Sequence, residues 1–106
     1  MTGEPLSISS EQDGETHRVA PVGELDIATV KMLEQAVLEL DDSAQMIVLD
    51  LSGLSFIDST GLRLVIDINE RYGGEVDRLR VIAGSPAVDR LLDLAGLRDR
   101  LPLITP

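Results

Sequence analysis

The residues at positions 46–51, Met-Ile-Val-Leu-Asp-Leu, constrain the fold of this chain more than any other segment. They show no alternation of apolar and polar side chains before Asp50, which is typical of a strand covered on both faces at the centre of a sheet. Upstream, apolar side chains recur at the spacing of one helix face, at Val30, Leu33, Val37 and Leu40. A buried strand beside an amphipathic helix predicts a layered α/β fold.

Two strands are predicted upstream of this helix. Residues 6–10 alternate apolar and polar side chains, residues 16–22 form a second strand-like run, and the Asp-Gly pair at 13–14 predicts a hairpin turn between them. Pro21 has no amide proton, so the second strand is expected to be an edge strand or to be bulged there. Gly23 is expected to end that strand as a turn residue.

The first helix can be capped by Asp26 or Thr29, and the Asp-Asp-Ser segment at 41–43 is expected to end it as a solvated helix end. A second helix is predicted from about Ser59 to Tyr72. Its apolar positions cover about 200° of the helix surface, because Leu64 and Ile68 lie off its main face. Burial beneath the neighbouring helix is the structural explanation, and an exposed docking patch is the functional one.

A third helix follows a predicted strand at 79–83. Ser85 is its expected cap, Pro86 its first helical residue and Gly96 its left-handed end. Its buried stripe is expected to comprise Val88, Leu91, Leu92 and Ala95. With a last short strand at 101–104, the order is β-β-α-β-α-β-α-β, and the helical crossovers predict a mixed, mostly parallel sheet in one domain.

The composition excludes several classes of function. The chain has no cysteine and His17 is its only histidine, which excludes disulfides, cysteine nucleophiles and thiolate or histidine-rich metal sites. With only Phe56 and Tyr72 aromatic, no platform for stacking bases is expected. No apolar run approaches the roughly 20 residues that span a bilayer, and the first ten residues do not resemble a signal peptide. A soluble intracellular domain is expected.

The net charge of −10 lies entirely in the first half of the chain. Residues 1–58 contain twelve acidic and two basic side chains, whereas residues 59–106 contain seven acidic side chains and seven arginines. Such a surface disfavours nucleic acid and anionic membranes and favours a basic protein partner. The alternative is that the acidity only keeps a small domain in solution.

Two loops are candidates for a functional site, at 23–26 (Gly-Glu-Leu-Asp) and 58–61 (Asp-Ser-Thr-Gly). Both leave strands and open helices, so they are expected to be neighbours at the carboxyl rim of the sheet. The second loop offers two hydroxyls beside a helix start, where backbone amides favour negative charge. Helix capping alone also explains these residue types.

Catalytic functions receive little support. His17 could act as a base for Ser59 only if the second strand approached that loop, and an exposed strand histidine is the commoner case. No phosphate-binding loop ending in Gly-Lys-Ser/Thr is present, so a nucleotide-binding sensor is not favoured. We therefore expect no enzyme activity, no metal and no cofactor.

Three segments together resemble the STAS domains of bacterial anti-sigma factor antagonists. They are Gly-Glu-Leu-Asp at 23–26, Leu-Ser-Phe-Ile-Asp-Ser-Thr-Gly-Leu at 54–62 and Ser-Pro-Ala-Val-Asp-Arg-Leu-Leu-Asp-Leu-Ala-Gly-Leu at 85–97. The resemblance covers residues 6–104 and implies a single STAS domain over 1–106, with helices packed mainly on one face of the sheet.

The resemblance also implies a phosphorylation switch. In that family the hydroxyl residue after the loop aspartate is phosphorylated by a partner that is both anti-sigma factor and protein kinase and that supplies the ATP. The matching residue is Ser59, with Thr60 as the alternative acceptor. The unphosphorylated form captures that partner in the cytoplasm and frees a sigma factor, and a serine phosphatase restores it. Partner contacts are implied for Glu24, Asp26, Asp58, Thr60, Gly61, Leu62 and Arg63.

The chain departs from the family pattern at three places. Arg63 stands where many relatives have glycine, the Gly-Gly pair at 73–74 arrives early, and the chain stops at Pro106, where relatives often continue with a further helix. The alternative function is a STAS accessory subunit of a membrane transport or signalling complex without a phospho-switch.

Overall fold

The computed structural model describes residues 5–40 and 44–105. Five strands and three α-helices are defined, in the order β1 (Ser7–Asp13), β2 (Thr16–Leu25), α1 (Val30–Leu38), β3 (Met46–Asp50), β4 (Leu54–Ile57), α2 (Ser59–Tyr72), β5 (Leu79–Ile82) and α3 (Pro86–Ala95). A single 3₁₀ turn, Arg98–Arg100, follows α3. The predicted end of the first helix at 41–43 lies outside the described residues.

The sheet is mixed and mostly parallel, as predicted. The strand order is β1-β2-β3-β5, with β1 antiparallel to β2 and the other pairs parallel. β3 therefore lies in the interior of the sheet, and the hairpin between β1 and β2 turns at 14–15. The buried cores of all three helices join one apolar cluster with the face of the sheet that carries Val19, Leu49 and Val81.

The opposite face of the sheet is largely open to solvent, which corrects the expectation that β3 is covered on both faces. Burial alternates strictly along β2, where Arg18 and Val22 are exposed and their neighbours Val19 and Pro21 are buried. On β3, Met46 and Val48 are only half-buried. The continuous apolar run thus reflects a half-covered strand rather than one between two helical layers.

A strand that the sequence did not reveal, β4, is essential to the architecture. β2 pairs with β3 over residues 16–19 and then with β4 over residues 23–25, so its two halves have different parallel partners. Of the two alternatives predicted at Pro21, the edge strand was wrong, because β2 is paired on both sides, and the bulge lies two residues further on, between Gly23 and Glu24. Pro21 lies between the two parallel pairings, where no partner in β3 or β4 requires its missing amide proton.

Gly23 does not end β2, which continues through Leu25. A bulge shifts the register between Gly23 and Glu24, and Gly23 adopts a φ of +115° that other residues rarely reach. A Cβ at this position would lie 2.5 Å from the carbonyl oxygen of Pro5. Gly23 therefore allows β2 to continue close to the backbone of Pro5, where a side chain would clash, and does not form a turn.

The C-terminal third largely follows prediction. Ser85 caps α3 by accepting a hydrogen bond from the Val88 amide, and its hydroxyl donates to the Leu54 carbonyl oxygen at 2.7 Å. Gly96 closes the helix in the left-handed conformation. Three details differ: Leu91 is only half-buried, Ala95 is exposed, and the predicted last strand at 101–104 makes only a single bridge to β5.

Candidate functional site

The two candidate loops meet at one rim of the sheet, as predicted. β2 and β4 end side by side, with Leu25 paired to Ile57, and the Asp58 amide donates to the Leu25 carbonyl oxygen at 3.2 Å. Gly61 lies against the same residues, since a Cβ there would be 2.9 Å from Leu25 Cγ and 3.0 Å from Ile57 Cγ1. The β2–α1 and β4–α2 loops are therefore in direct contact.

The start of α2 presents its first hydroxyl to solvent. Asp58 is the N-cap, and its Oδ1 accepts from the Gly61 amide at 2.9 Å. Ser59 is the first helical residue and is exposed, whereas Thr60 is half-buried. Within the described residues, neither hydroxyl forms a hydrogen bond. The first-turn amides of Ser59 and Thr60 have no acceptor within the helix, because helix geometry leaves them unpaired.

The β2–α1 loop is held rigid by its own polar groups. Asp26 Oδ1 accepts from the Ala28 amide at 2.9 Å and from the Thr29 amide at 3.2 Å. Thr29 Oγ1 also donates to the Glu24 carbonyl oxygen at 2.8 Å. Asp26 rather than Thr29 thus caps the turn that leads into α1, since the Thr29 side chain caps no helical amide.

The remaining residues named from the sequence divide between core and surface. Gly61 and Leu62 are buried, with Leu62 packed in the apolar core. Arg63 is exposed, and its Nε lies 3.3 Å from Asp67 Oδ1 in an ion pair along the helix. Glu24, Asp26 and Asp58 are half-buried. Among the residues named from the sequence, the groups that solvent reaches are therefore acidic carboxylates, a hydroxyl and the Arg63 guanidinium.

The wide apolar surface of α2 has the structural explanation. Leu64 and Ile68 are buried against α1, where Val37 lies across a narrow cleft from them. Burial of these side chains removes the patch that a partner was expected to contact beside Ser59. The alternative prediction of a docking patch on α2 is therefore wrong.

Exposed apolar residues do occur near the rim, but on other elements. Ile27, in the β2–α1 loop, is 78% exposed, and Phe56, on β4, is 45% exposed. Beyond Phe56, a shallow cleft of about 300 Å³ is lined by Phe56, Ile57, Ala87, Arg90, Leu91 and Leu94. The sequence analysis did not select Ile27. The available signal was an apolar residue in the loop before the first helix, three residues before the apolar stripe begins at Val30.

His17 lies far from this rim and is buried, which corrects the expectation of an exposed strand histidine. It is 9% exposed, eight residues before the end of β2 at Leu25. At ~3.3 Å per residue the two ends are about 26 Å apart, so His17 cannot serve Ser59 as a base. Among residues 5–40 and 44–105, no cluster of potential metal ligands is present.

No helix in the described part of the chain is both long and apolar enough to cross a membrane.

Comparison with known proteins places this arrangement in one family. A family model described as "Mlab, STAS domain" matches residues 8–105. The anti-sigma-B factor antagonist of Staphylococcus aureus (strain NCTC 8325 / PS 47) is 30% identical over 95 residues, covering 89% of this chain and 88% of the relative.

Solved structures agree with the sequence comparison. The crystal structure of an anti-sigma factor antagonist from Mycobacterium paratuberculosis superimposes with a TM-score of 0.83 at 32% identity, covering 95% of this chain and 86% of the other. The anti-sigma factor antagonist SpoIIAA in its unphosphorylated form shares the fold, with a TM-score of 0.73 at 22% identity over 94% and 88% of the two chains.

The chain therefore belongs to the STAS-domain family. The relatives just described are anti-sigma factor antagonists, which confirms the resemblance inferred from the three sequence segments.

Proposed function

We propose that this protein is a bacterial phospho-switch that binds an anti-sigma factor with serine-kinase activity and thereby releases a sigma factor. Ser59 is the phosphate acceptor, and phosphorylation ends the binding. The observation that carries the proposal is the exposed, uncommitted hydroxyl of Ser59 at the first position of α2. The ATP comes from the partner kinase, a serine phosphatase reverses the reaction, and the protein itself acts in the cytoplasm as a binding protein rather than an enzyme.

The fold is suited to accept a phosphate at this position. A phosphoserine carries about −1.5 to −2 charges at neutral pH. At a helix N-terminus these charges meet unpaired amides and the positive end of the helix dipole, which favours them by ~0.3–2 kcal/mol. Because the Ser59 hydroxyl forms no hydrogen bond to the described residues, modification breaks no existing contact. Phosphorylation is therefore expected to leave the domain folded.

The same phosphate is expected to oppose binding. Asp58 precedes Ser59 directly, and Asp26 belongs to the loop that contacts the start of α2. A partner that covers this rim must desolvate the phosphate beside these carboxylates, and an unpaired buried charge is costly. Changing occupancy from 99:1 to 1:99 requires about 5.5 kcal/mol of differential affinity, so the switch needs the phosphate to lie within the interface.

The test compares two substitutions at the acceptor. Ser59→Ala is expected to bind the cognate anti-sigma factor as tightly as the unmodified protein and to resist inactivation by kinase and ATP. Ser59→Asp is expected to bind at least about tenfold more weakly, since even one added carboxylate must be desolvated in the interface. Affinity is measured by calorimetry, and circular dichroism checks that both variants are folded.

Ser9→Asp is the matched control, because Ser9 is an exposed serine on β1 away from the α2 start. It should bind normally. Equal affinities for Ser59→Ala and Ser59→Asp would refute the switch. After incubation with kinase and ATP, mass spectrometry should find phosphate on Ser59; phosphate on Thr60 instead would move the acceptor by one residue. Phosphate on neither residue would favour an accessory subunit of a membrane-associated complex.

A further inference from the structure

Ser59, Arg63 and Asp67 follow one another at four-residue intervals along α2. Residues at this spacing are neighbours on a helix surface, with about 5–6 Å between their Cβ atoms. Arg63 therefore has a possible partner one turn away in each direction. Its side chain is 77% exposed and lies toward the C-terminal partner, with Nε 3.3 Å from Asp67 Oδ1.

We propose that Arg63 is the internal counter-ion of the phosphate: when Ser59 is phosphorylated, the guanidinium leaves Asp67 and binds the phosphoserine one turn toward the N-terminus. This inference deepens the proposed function, because it rests on Ser59 as the modified residue. It gives Arg63 a specific role in the phosphorylated form.

The orientation of the two ion pairs favours the exchange. On a helix, an anion four residues N-terminal to a cation is the better arrangement, and the reverse order is weaker. Phosphoserine 59 with Arg63 has the better order, whereas Arg63 with Asp67 has the weaker one. The existing pair is also exposed on both sides, with Asp67 54% exposed, so solvent screens it strongly.

The chemistry of the two acceptors favours the exchange as well. A carboxylate offers one negative charge, whereas a phosphate offers nearly two and three strong acceptor oxygens. The planar fork of a guanidinium matches two phosphate oxygens at once, which an ammonium cannot do. The carboxylates of Glu24, Asp26 and Asp58 at the rim cannot neutralise a phosphate. Two further cations lie on neighbouring elements, Lys31 in the first turn of α1 and Arg90 on α3 beside Ile57, but Arg63 is the one that lies a single helical turn from Ser59.

The exchange has a consequence for the partner surface. In the unmodified protein, Arg63 is available to an acidic group of the partner at the cost of one weak, exposed ion pair. In the phosphorylated protein, the same guanidinium is held against phosphoserine 59. Phosphorylation then both adds a dianion to the rim and removes its cation from the partner, while the internal pair limits the charge that the domain must tolerate.

The experiment requires no kinase. Phosphoserine is incorporated at position 59 of the full chain during translation, and the ionisation of the phosphate is followed by ³¹P NMR between pH 4 and pH 8. With Arg63→Gln, the midpoint of the titration is expected to rise by about 0.3 pH unit, the effect of one exposed i,i+4 ion pair. Arg63→Lys should recover part of this difference, since it keeps the charge without the fork.

Arg71→Gln is the matched control, because it removes an exposed arginine from the same helix about 18 Å from Ser59, beyond the screening length at physiological salt. Its midpoint should equal that of the wild type, and Asp67→Asn should leave the midpoint equal or lower. Identical midpoints for wild type and Arg63→Gln would overturn the inference. Because phosphoserine is installed directly, this outcome is independent of whether the kinase acts on Ser59.

Discussion

Asp58 and Ser59 are consecutive residues at the start of α2 and have different roles in the candidate site. The Asp58 carboxylate is committed to the Gly61 amide, so it fixes the first turn of the helix. The Ser59 hydroxyl forms no hydrogen bond within the described residues, and Ser59 is exposed to solvent. Because the Asp58 carboxylate caps the first turn, the Ser59 hydroxyl is not needed as a helix cap and is available for modification. Helix capping and the proposed phosphorylation thus involve different side chains.

Ile27 is expected to be an apolar anchor of the same surface. Its side chain is 78% exposed on a turn that Asp26 and Thr29 hold by hydrogen bonds, so little ordering entropy is lost when a partner covers it. Ile27→Ser should weaken binding to the anti-sigma factor by about tenfold in calorimetry, a typical loss for an interface anchor. Its unfolding free energy in urea should change by less than about 0.5 kcal/mol.

Val76→Ser provides the comparison, because Val76 is also β-branched and 52% exposed but follows the opposite end of α2. It should bind like the wild type. Normal binding by Ile27→Ser would show that this loop stays outside the interface. Equal losses in both variants would point instead to a general effect of surface hydrophobicity.

At the scale of elements, β2 is the strand that joins the scaffold to the site. Its first half belongs to the main sheet through β3, and its second half reaches the rim through β4. The change of partner falls between Val19 and Gly23, and the bulge after Gly23 lies within the pairing with β4. Gly23→Ala is expected to lower the unfolding free energy by more than about 2 kcal/mol, since it adds both backbone strain and a clash with the Pro5 carbonyl.

Gly14→Ala separates these two effects. Gly14 also has a positive φ, +63°, but no atom lies within 4 Å of the position that a Cβ would take. This variant should lose only about 1 kcal/mol, the cost of the left-handed conformation alone. Urea denaturation of both variants measures the difference. Equal losses would mean that the backbone at Gly23 relaxes away from Pro5.

A second link between elements is the buried carboxylate of Asp50 at the end of β3. Burial raises the pKa of Asp50, but hydrogen bonds from the Ser52 hydroxyl and amide and the ion pair with Arg18 outweigh burial and hold the pKa below its ordinary value. Because this pKa is lower in the folded chain, the unfolded chain binds the proton first as the pH falls. The stability that ionised Asp50 contributes is present above about pH 4 and is lost on further acidification.

Urea unfolding of the wild type and of Asp50→Asn between pH 7 and pH 3 tests this linkage. The wild type should be the more stable at neutral pH, and its advantage should shrink as the pH falls below about 4. Asp99→Asn serves as the reference, since Asp99 is exposed and forms no ion pair with the described residues. A constant difference between wild type and Asp50→Asn over the whole range would contradict the assignment.

At the scale of the whole molecule, the fold places the site where two electrostatically different parts of the chain meet. Glu24, Asp26 and Asp58 come from the strongly acidic first half, whereas Arg63 comes from the half in which acids and arginines balance. The long-range field therefore favours the approach of a basic surface, and Arg63 is the cation to which we assign the proposed phosphate at Ser59.

Local patterns were sufficient wherever a structure depends on residues close together in the chain. The bounds of α2 and the Ser85 cap with Pro86 behind it follow from caps and periodicity over a few residues. The hairpin was also predicted from local turn residues, although its turn lies at 14–15, one residue beyond the predicted Asp-Gly pair. The three segments that resemble the family could also be recognised from the sequence, because each is a short continuous run of residues.

Features that depend on distant partners were not readable in this way. β4 has four residues and no periodicity of its own, and it is a strand only because the bulged end of β2 lies beside it. The burial of His17 and the coverage of Leu64 by α1 likewise follow from packing between elements. Side-chain types and spacing sufficed to select the loop at 58–61 as a candidate site, and the family resemblance selected Ser59 within it. The exposure of Ser59 and its proximity to the loop of Asp26 depend on contacts between distant elements, which a linear pattern does not encode.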